Sequence, residues 1–165
     1  MPPPVIIRNK GPRFATGDLW RLHTKGCWVV VTTNIGWKSD GANVMGAGVA
    51  KQAAERFPDL PLWYGTLCRK YREEVGAVLY NPGRLVLIPT KPLNRVAPQL
   101  SWQQDSSLEL VEQSVLQLAQ VLVEERFTVA MGYPGCGNGN LQVAKVKPML
   151  LKHLANPKVI IVEPS

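Results

Sequence analysis

Residues 44–50 read VMGAGVA and residues 132–141 read GYPGCGNGNL. Each of these glycine-rich stretches follows a run typical of a buried strand, and each leads into apolar residues at helical spacing. Glycine lets the backbone approach a ligand closely, and the free N–H groups at the start of a helix attract anions. The two loops together could hold the two phosphates of one diphosphate. We therefore predict a diphosphate site formed by both loops.

Each loop alone is weak evidence, because small residues at the start of a helix are often needed only for close packing. Neither loop is followed by the lysine of a P-loop, and neither has the GxGxxG spacing of a dinucleotide fingerprint. The prediction depends on both loops occurring in one chain, each after a buried strand.

The segments around the loops alternate between strand and helix patterns. Strands are predicted at residues 5–7, 14–20, 27–33, 77–80, 85–88, 127–131 and 158–162. Helices are predicted at residues 46–57, 59–71, 106–122 and 145–154, with a capping box of Ser106 and Glu109 and a long loop at 90–104. This order predicts an α/β fold with three α/β/α layers and a mixed central sheet, in a single domain of residues 1–165. Ligands of such sheets bind at the strand ends.

Composition limits the possible functions. The net charge is +7, which favours polyanionic partners such as nucleic acid, although a basic surface also serves solubility. The 3 cysteines are far apart in the sequence, which argues against a disulfide framework or a metal site. No signal peptide and no apolar run of about 20 residues is evident. We expect a cytoplasmic monomer that needs no metal and no membrane.

The order of four motifs resembles a macrodomain. They are residues 17–19 (GDL), a buried strand ending in Asn34, residues 44–50, and residues 134–139 (PGCGNG). The resemblance extends from about Gly17 to the C-terminal strand. Within the family, MGAGVA, residues 89–91 (PTK) and GCGNG resemble the branch of terminal ADP-ribose glycohydrolase. They are more similar still to the antitoxin macrodomain that removes ADP-ribose from thymidine in DNA.

The resemblance implies a ligand, ADP-ribose, and roles for individual residues. Asp18 would accept a hydrogen bond from the adenine amino group. Asn34 would lie near the distal ribose and take part in catalysis, and Lys91 would be the catalytic lysine. The resemblance further places the ligand against Leu19, Thr33, Met45, Gly46, Ala47, Gly48, Val49, Pro134, Gly135, Cys136, Gly137, Asn138, Gly139, Asn140 and Leu141. No cofactor is implied, and the partner would be ADP-ribose or an ADP-ribosylated macromolecule.

Lys91 can be connected to a reaction. An ADP-ribosyl linkage is a glycosidic bond at an anomeric carbon, and its cleavage needs a protonated leaving group and a stabilised oxocarbenium-like centre. A lysine can serve as a nucleophile through a Schiff base if it is neutral, or as an acid if it is charged. We expect hydrolysis of an ADP-ribosyl linkage, on DNA or another nucleic acid. A non-catalytic ADP-ribose reader and an ADP-ribose 1″-phosphate phosphatase are the alternatives.

The second loop departs from the terminal glycohydrolase pattern. Where that enzyme has an acidic residue, this chain has Gly139, as the DNA-directed antitoxins do. The departure favours a lysine-led mechanism on a nucleic-acid adduct. Phosphate contacts could come from Arg69, Lys70, Arg72 and Arg95.

Three further residues near the loops need an interpretation. Trp37, in an apparent insertion at residues 37–41, and Tyr133 could stack on adenine or ribose. Cys136 is interpreted as a small residue tolerated in a tight loop, because no histidine is near it in the sequence.

Overall fold

The computed structural model describes residues 11–164, so the strand predicted at residues 5–7 lies outside the described residues. The strands are β1 (Arg13–Thr16), β2 (Trp28–Asn34), β3 (Val78–Tyr80), β4 (Leu85–Lys91), β5 (Val129–Met131) and β6 (Val159–Glu163). The helices are α1 (Leu19–Thr24), α2 (Gly48–Arg56), α3 (Leu60–Tyr71), α4 (Leu108–Glu124) and α5 (Val143–His153). Short 3₁₀ helices lie at Arg72–Glu74, Asn81–Gly83 and Pro98–Gln103.

The six strands form one sheet in the order β1-β6-β5-β2-β4-β3. All neighbouring pairs are parallel except β3 and β4, which are antiparallel. The antiparallel pair is joined by the tight Asn81–Gly83 turn, whereas the parallel strands are joined through helices. The prediction of a mixed sheet is confirmed.

Helices cover both faces of the sheet because its central strands are apolar on both sides. In β2, Val30 points into a core formed with α4 and α5, and Val29 and Val31 point into a core formed with α2 and α3. Leu19 and Leu22 of α1 pack on the same side as α2 and α3, against Ile160 and its neighbours. The fold is therefore the three-layer α/β/α sandwich expected from the sequence.

The structure corrects the prediction for residues 14–20. The strand there ends at Thr16, and residues from Leu19 onward form α1. Gly17 has a φ of +107°, which ends the strand, and the Asp18 carboxylate accepts a hydrogen bond from the backbone N–H of Trp20. A helix of 6 residues is too short to show a helical period, so the sequence pattern missed it.

Two boundaries before α4 also differ from the prediction. The N-cap residue is Ser107, not Ser106, since its hydroxyl accepts a hydrogen bond from the N–H of Leu110. Thr90 and Lys91 belong to β4 rather than to a loop. Both serines could cap a helix by residue type; Ser106 instead packs against the second glycine-rich loop.

Two general properties concern residues 11–164. No helix in this range is both long and apolar enough to cross a bilayer. The same residues contain no group of three or more His, Cys, Asp or Glu side chains that could hold a metal ion.

The contribution of α4 to the core can be tested at Leu118. This residue is fully buried, so Leu118→Ala should lower the free energy of unfolding by about 2–5 kcal/mol. Leu116 on the same helix is 48% exposed, and Leu116→Ala should cost less than about 1 kcal/mol. Urea unfolding of both variants measures the difference, and equal losses would contradict this placement of α4.

Candidate active site between two glycine-rich loops

A cavity of about 890 Å³ lies where β2, β4 and β5 end. Its size is that of a small-molecule site. The predicted site residues that line it are Leu19, Thr33, Asn34, Gly46, Ala47, Gly48, Val49, Lys91, Gly135, Gly137, Asn138, Gly139 and Asn140. The structure thus brings together both glycine-rich loops and the lysine from separate parts of the chain.

Some predicted ligand residues do not line this cavity. They are Asp18, Met45, Pro134, Cys136 and Leu141. Met45 is buried in the core below the first loop, and Leu141 packs on the opposite side of the sheet under Gly135. Asp18 caps α1 through one carboxylate oxygen and is adjacent to Leu19, which does line the cavity. Contact of these residues with a ligand stays a prediction.

The first loop presents the start of α2 to the cavity. The N-cap residue is Ala47, which offers no side-chain hydrogen bond to the first turn. The N–H groups of that turn are therefore free to bind an anion, and the helix dipole adds partial positive charge there. A Cβ placed on Gly48 would lie 3.7 Å from Asn138 Nδ2, so the two loops face each other closely.

The second loop is packed so tightly that residue 139 must be glycine. A Cβ on Gly139 would overlap the hydroxyl of Ser106 and lie 2.5 Å from the carbonyl oxygen of Gly135. The carbonyl of Gly139 also accepts a hydrogen bond from the backbone N–H of Ser106 at 2.9 Å. An acidic side chain at this position is therefore sterically excluded.

Asn34 ends β2 and is almost fully buried. Its Nδ2 donates to the carbonyl of Val44 at 2.8 Å, and its Oδ1 accepts from the N–H of Gly36 and from Nδ2 of Asn43. Asn34 also pairs in register with Lys91 of β4. The side chain lines the cavity, and its carboxamide holds the first loop in place. Its catalytic role stays a prediction.

Lys91 is the one lysine of residues 11–164 that lines this cavity. Its Nζ donates a hydrogen bond to the carbonyl of Trp102 at 2.7 Å. Partial burial lowers the pKa of Lys91, and the nearby negative charge of Asp105 acts in the opposite direction. Asp105 in turn accepts a hydrogen bond from Asn140 Nδ2 at 2.7 Å. Because its pKa is lowered, a larger fraction of Lys91 is neutral at a given pH than of a fully solvated lysine.

Sequence reasoning missed one wall of the cavity. Trp102, Gln103, Asp105 and Ser106 line it from the segment before α4, which the sequence analysis treated only as a loop and a helix cap. The general position of this wall could have been predicted, because the connection after β4 leaves from the carboxyl edge of the sheet, where ligands bind. Nothing local distinguished these four residues from an ordinary loop.

The three remaining residues have distinct environments. Tyr133 lines the cavity and donates to Glu163 at 2.6 Å; burial and this carboxylate raise its pKa to about 12. Burial also raises the pKa of the Cys136 thiol, which argues against a nucleophilic role. Trp37 lies outside the cavity and contributes to a separate groove with Arg72.

Gly139→Ala tests the packing of the second loop. The added methyl group must displace Ser106 and a backbone carbonyl, so the free energy of unfolding should fall by about 1–3 kcal/mol. Gly137→Ala is the matched control, because a Cβ there meets no atom within 4 Å. Thermal unfolding of both variants measures the effect, and equal stability of the two would refute the packing argument.

The comparisons with known proteins agree with this geometry. No protein-family model matches the chain. A Thermus aquaticus protein named DNA ADP-ribosyl glycohydrolase is 30% identical over 92% of this chain, and the chain spans only 41% of that relative's length. The solved macrodomain of Mycobacterium tuberculosis DarG is 26% identical with a TM-score of 0.72, covering 93% of this chain and 96% of that one.

A third similar structure is Thermosipho africanus DarTG, solved in complex with ADP-ribose. It matches with a TM-score of 0.71 at 22% identity, covering 93% of this chain and 42% of that chain. At that identity the match supports the fold alone. Together with the motif order and the site geometry, the comparisons show that the chain has the macrodomain fold and is similar in sequence and structure to the macrodomains of DarG.

Proposed function

We propose that this macrodomain binds ADP-ribose between its two glycine-rich loops and hydrolyses an ADP-ribosyl linkage on DNA. The observation that carries the proposal is the partly desolvated amine of Lys91, which lines the same cavity as both anion-binding loops. The relatives named DNA ADP-ribosyl glycohydrolase support the same ligand and reaction.

The cavity can hold an extended dinucleotide-like ligand. The two loops would bind the diphosphate through backbone N–H groups, those of the α2 start among them. Asp18 and Leu19 at the start of α1 would mark the adenine end, and Lys91 would mark the distal ribose. The adduct would then extend from the anomeric carbon beside Lys91.

Lys91 would act as the nucleophile in the first step. Burial favours its neutral form, whose lone pair attacks the anomeric carbon while the glycosidic bond to the base breaks. The amine loses a proton as it forms the new C–N bond, and this proton goes to the departing base. The products of this step are the unmodified DNA strand and a lysyl adduct of ADP-ribose. The adduct opens to a Schiff base when its N–H proton moves to the ring oxygen.

Water must resolve that adduct in the second step. Asp105 is the one carboxylate that lines the cavity within the described part of the chain, and Asn140 orients it. We assign Asp105 as the base that takes a proton from the attacking water and passes it to Lys91 Nζ as the bond between Nζ and the anomeric carbon breaks, which regenerates the neutral amine. Asp105 would therefore supply the function that the glycine at position 139 cannot.

Lys91→Ala and Lys91→Arg test the proposed enzyme. Both variants should keep ADP-ribose affinity within about tenfold, measured by calorimetry, because the loops bind the diphosphate. Both should release ADP-ribose from a modified oligonucleotide at least about 10²-fold more slowly, since neither alanine nor an always-charged arginine can attack. Lys51→Ala, an exposed residue of α2, is the control and should retain wild-type release.

The outcomes separate the alternatives. ADP-ribose binding without release by the wild type would identify a reader instead of an enzyme. Unchanged release by Lys91→Arg would exclude the amine as the nucleophile. Reduction with cyanoborohydride during turnover should trap ADP-ribose on Lys91 of the wild type only.

A pH profile tests the relation between Lys91 and Asp105. The first step should accelerate as pH rises toward the pKa of Lys91, because only the neutral amine attacks. The negative charge of Asp105 raises that pKa, so Asp105→Asn should lower it and shift the rising limb to lower pH. Single-turnover rates between about pH 5 and pH 10 measure the shift.

The same variant should fail in the second step. With Asp105→Asn, we expect a burst of unmodified DNA followed by slow turnover, because the lysyl adduct accumulates. A limb that shifts to higher pH, or a loss of the burst itself, would contradict the assignment of Asp105.

A further inference from the structure

A second groove, here called the basic groove, lies outside the cavity and has a volume of about 430 Å³. It is lined by Trp37, Thr66, Arg69, Lys70 and Arg72. The three cations come from the end of α3 and the residue after it, and all three are exposed. Trp37 comes from the loop that follows β2, so two distant parts of the chain build the groove.

The cations of the basic groove are not neutralised by the protein. Arg69, Lys70 and Arg72 form no salt bridge with any carboxylate of residues 11–164. The nearby carboxylates form their ion pairs elsewhere: Asp40 pairs with Lys38, and Glu73 pairs with Arg95. The charge of Arg72 also acts on Glu73, yet three cations face this one shared carboxylate, so the groove keeps a net positive surface.

The backbone of Arg72 has a positive φ, which is unusual for a residue other than glycine and is not needed to end α3. Cations in the last turn of α3 complement the helix dipole, which accounts for Arg69 and Lys70. Arg72 follows that turn with a φ of +52°, a conformation that is costly for a residue with a side chain. It places the guanidinium 5.7 Å from the centre of the Trp37 ring. The result is a planar cation supported by an aromatic ring.

The basic groove is near the Lys91 end of the cavity. Asn34 pairs in register with Lys91, and Trp37 is three residues after Asn34, a chain length of at most about 11 Å. Gly36, between them, packs against Ser101 in the 3₁₀ helix next to Trp102, whose carbonyl accepts the Lys91 hydrogen bond.

We propose that the basic groove binds the phosphodiester backbone of the single-stranded DNA that carries the ADP-ribosyl group. Arg69 and Lys70 would contact phosphates, and the plane of Arg72 backed by Trp37 would stack on an unpaired base. A paired base cannot expose its face in this way, so the occupant is a single strand. This inference rests on the proposed function, because it places the adduct of that strand beside Lys91.

The test begins with binding of an unmodified, fluorescent single-stranded oligonucleotide, followed by anisotropy. The double variant Arg69→Gln/Arg72→Gly should weaken binding at least tenfold and lower the slope of log affinity against log salt by about 0.7, the value for the one phosphate contact of Arg69. Glycine at position 72 tolerates a φ of +52°, so the backbone is preserved. Duplex DNA of the same sequence should bind more weakly than the single strand.

Lys25→Gln/Lys152→Gln is the charge-matched control. Lys25 follows α1 and Lys152 is in the last turn of α5, both exposed, at the amino edge of the sheet and away from the cavity. The control should bind the oligonucleotide as the wild type does. Equal weakening in the two double variants would overturn the basic groove, since it would reflect net charge alone.

Activity then links the groove to the site. The groove variant should release ADP-ribose more slowly from a modified oligonucleotide than the wild type, and at the wild-type rate from a single modified nucleoside. Equal slowing on both substrates would overturn the proposal. If the wild type releases nothing yet groove-dependent binding persists, the proposed hydrolase fails and the nucleic-acid groove stands.

Discussion

The rest of the site depends on the hydrogen bonds of the buried Asn34 carboxamide. It joins the end of β2 to Val44, where the first glycine-rich loop begins, and to Gly36 and Asn43 in the loop that carries Trp37. Because β2 is a central strand, this junction is held by a packed core on each face. Asn34 also pairs in register with Lys91, so this one side chain connects the first glycine-rich loop, the end of β4 and the loop that carries Trp37 of the basic groove.

Close packing determines where an acidic group can stand. Gly139 lies against Ser106 with no room for a side chain, so the second loop can contribute only backbone groups and the amide of Asn140. Asp105, one residue before Ser106, reaches the same cavity from the segment before α4. The segment before α4 therefore has two effects: Ser106 leaves no room for an acidic side chain at position 139, and Asp105 places a carboxylate in the cavity instead.

The positive potential of the cavity and that of the basic groove come from different groups. In the cavity, backbone dipoles at the start of α2 attract the ligand, and desolvation tunes Lys91. In the basic groove, exposed and formally charged side chains dominate, so binding there should depend strongly on salt. A ligand with a diphosphate and an attached single strand matches this division.

The sequence by itself determined the layered fold and the two loops, because buried strands and glycine-rich turns leave strong local patterns. Residues 44–50 and 132–141 could be assigned to the site before any coordinates, and the family resemblance added Lys91. That Lys91 ends β4 was known only from the structure. Only the tertiary structure decided how Asp105 and Ser106 join the cavity and why Trp37 and Arg72 form a separate groove. These relations depend on contacts between distant segments, and no local pattern records them. α1 was missed for a different reason, since a helix of 6 residues capped by Asp18 is too short to leave a periodic signal in the sequence.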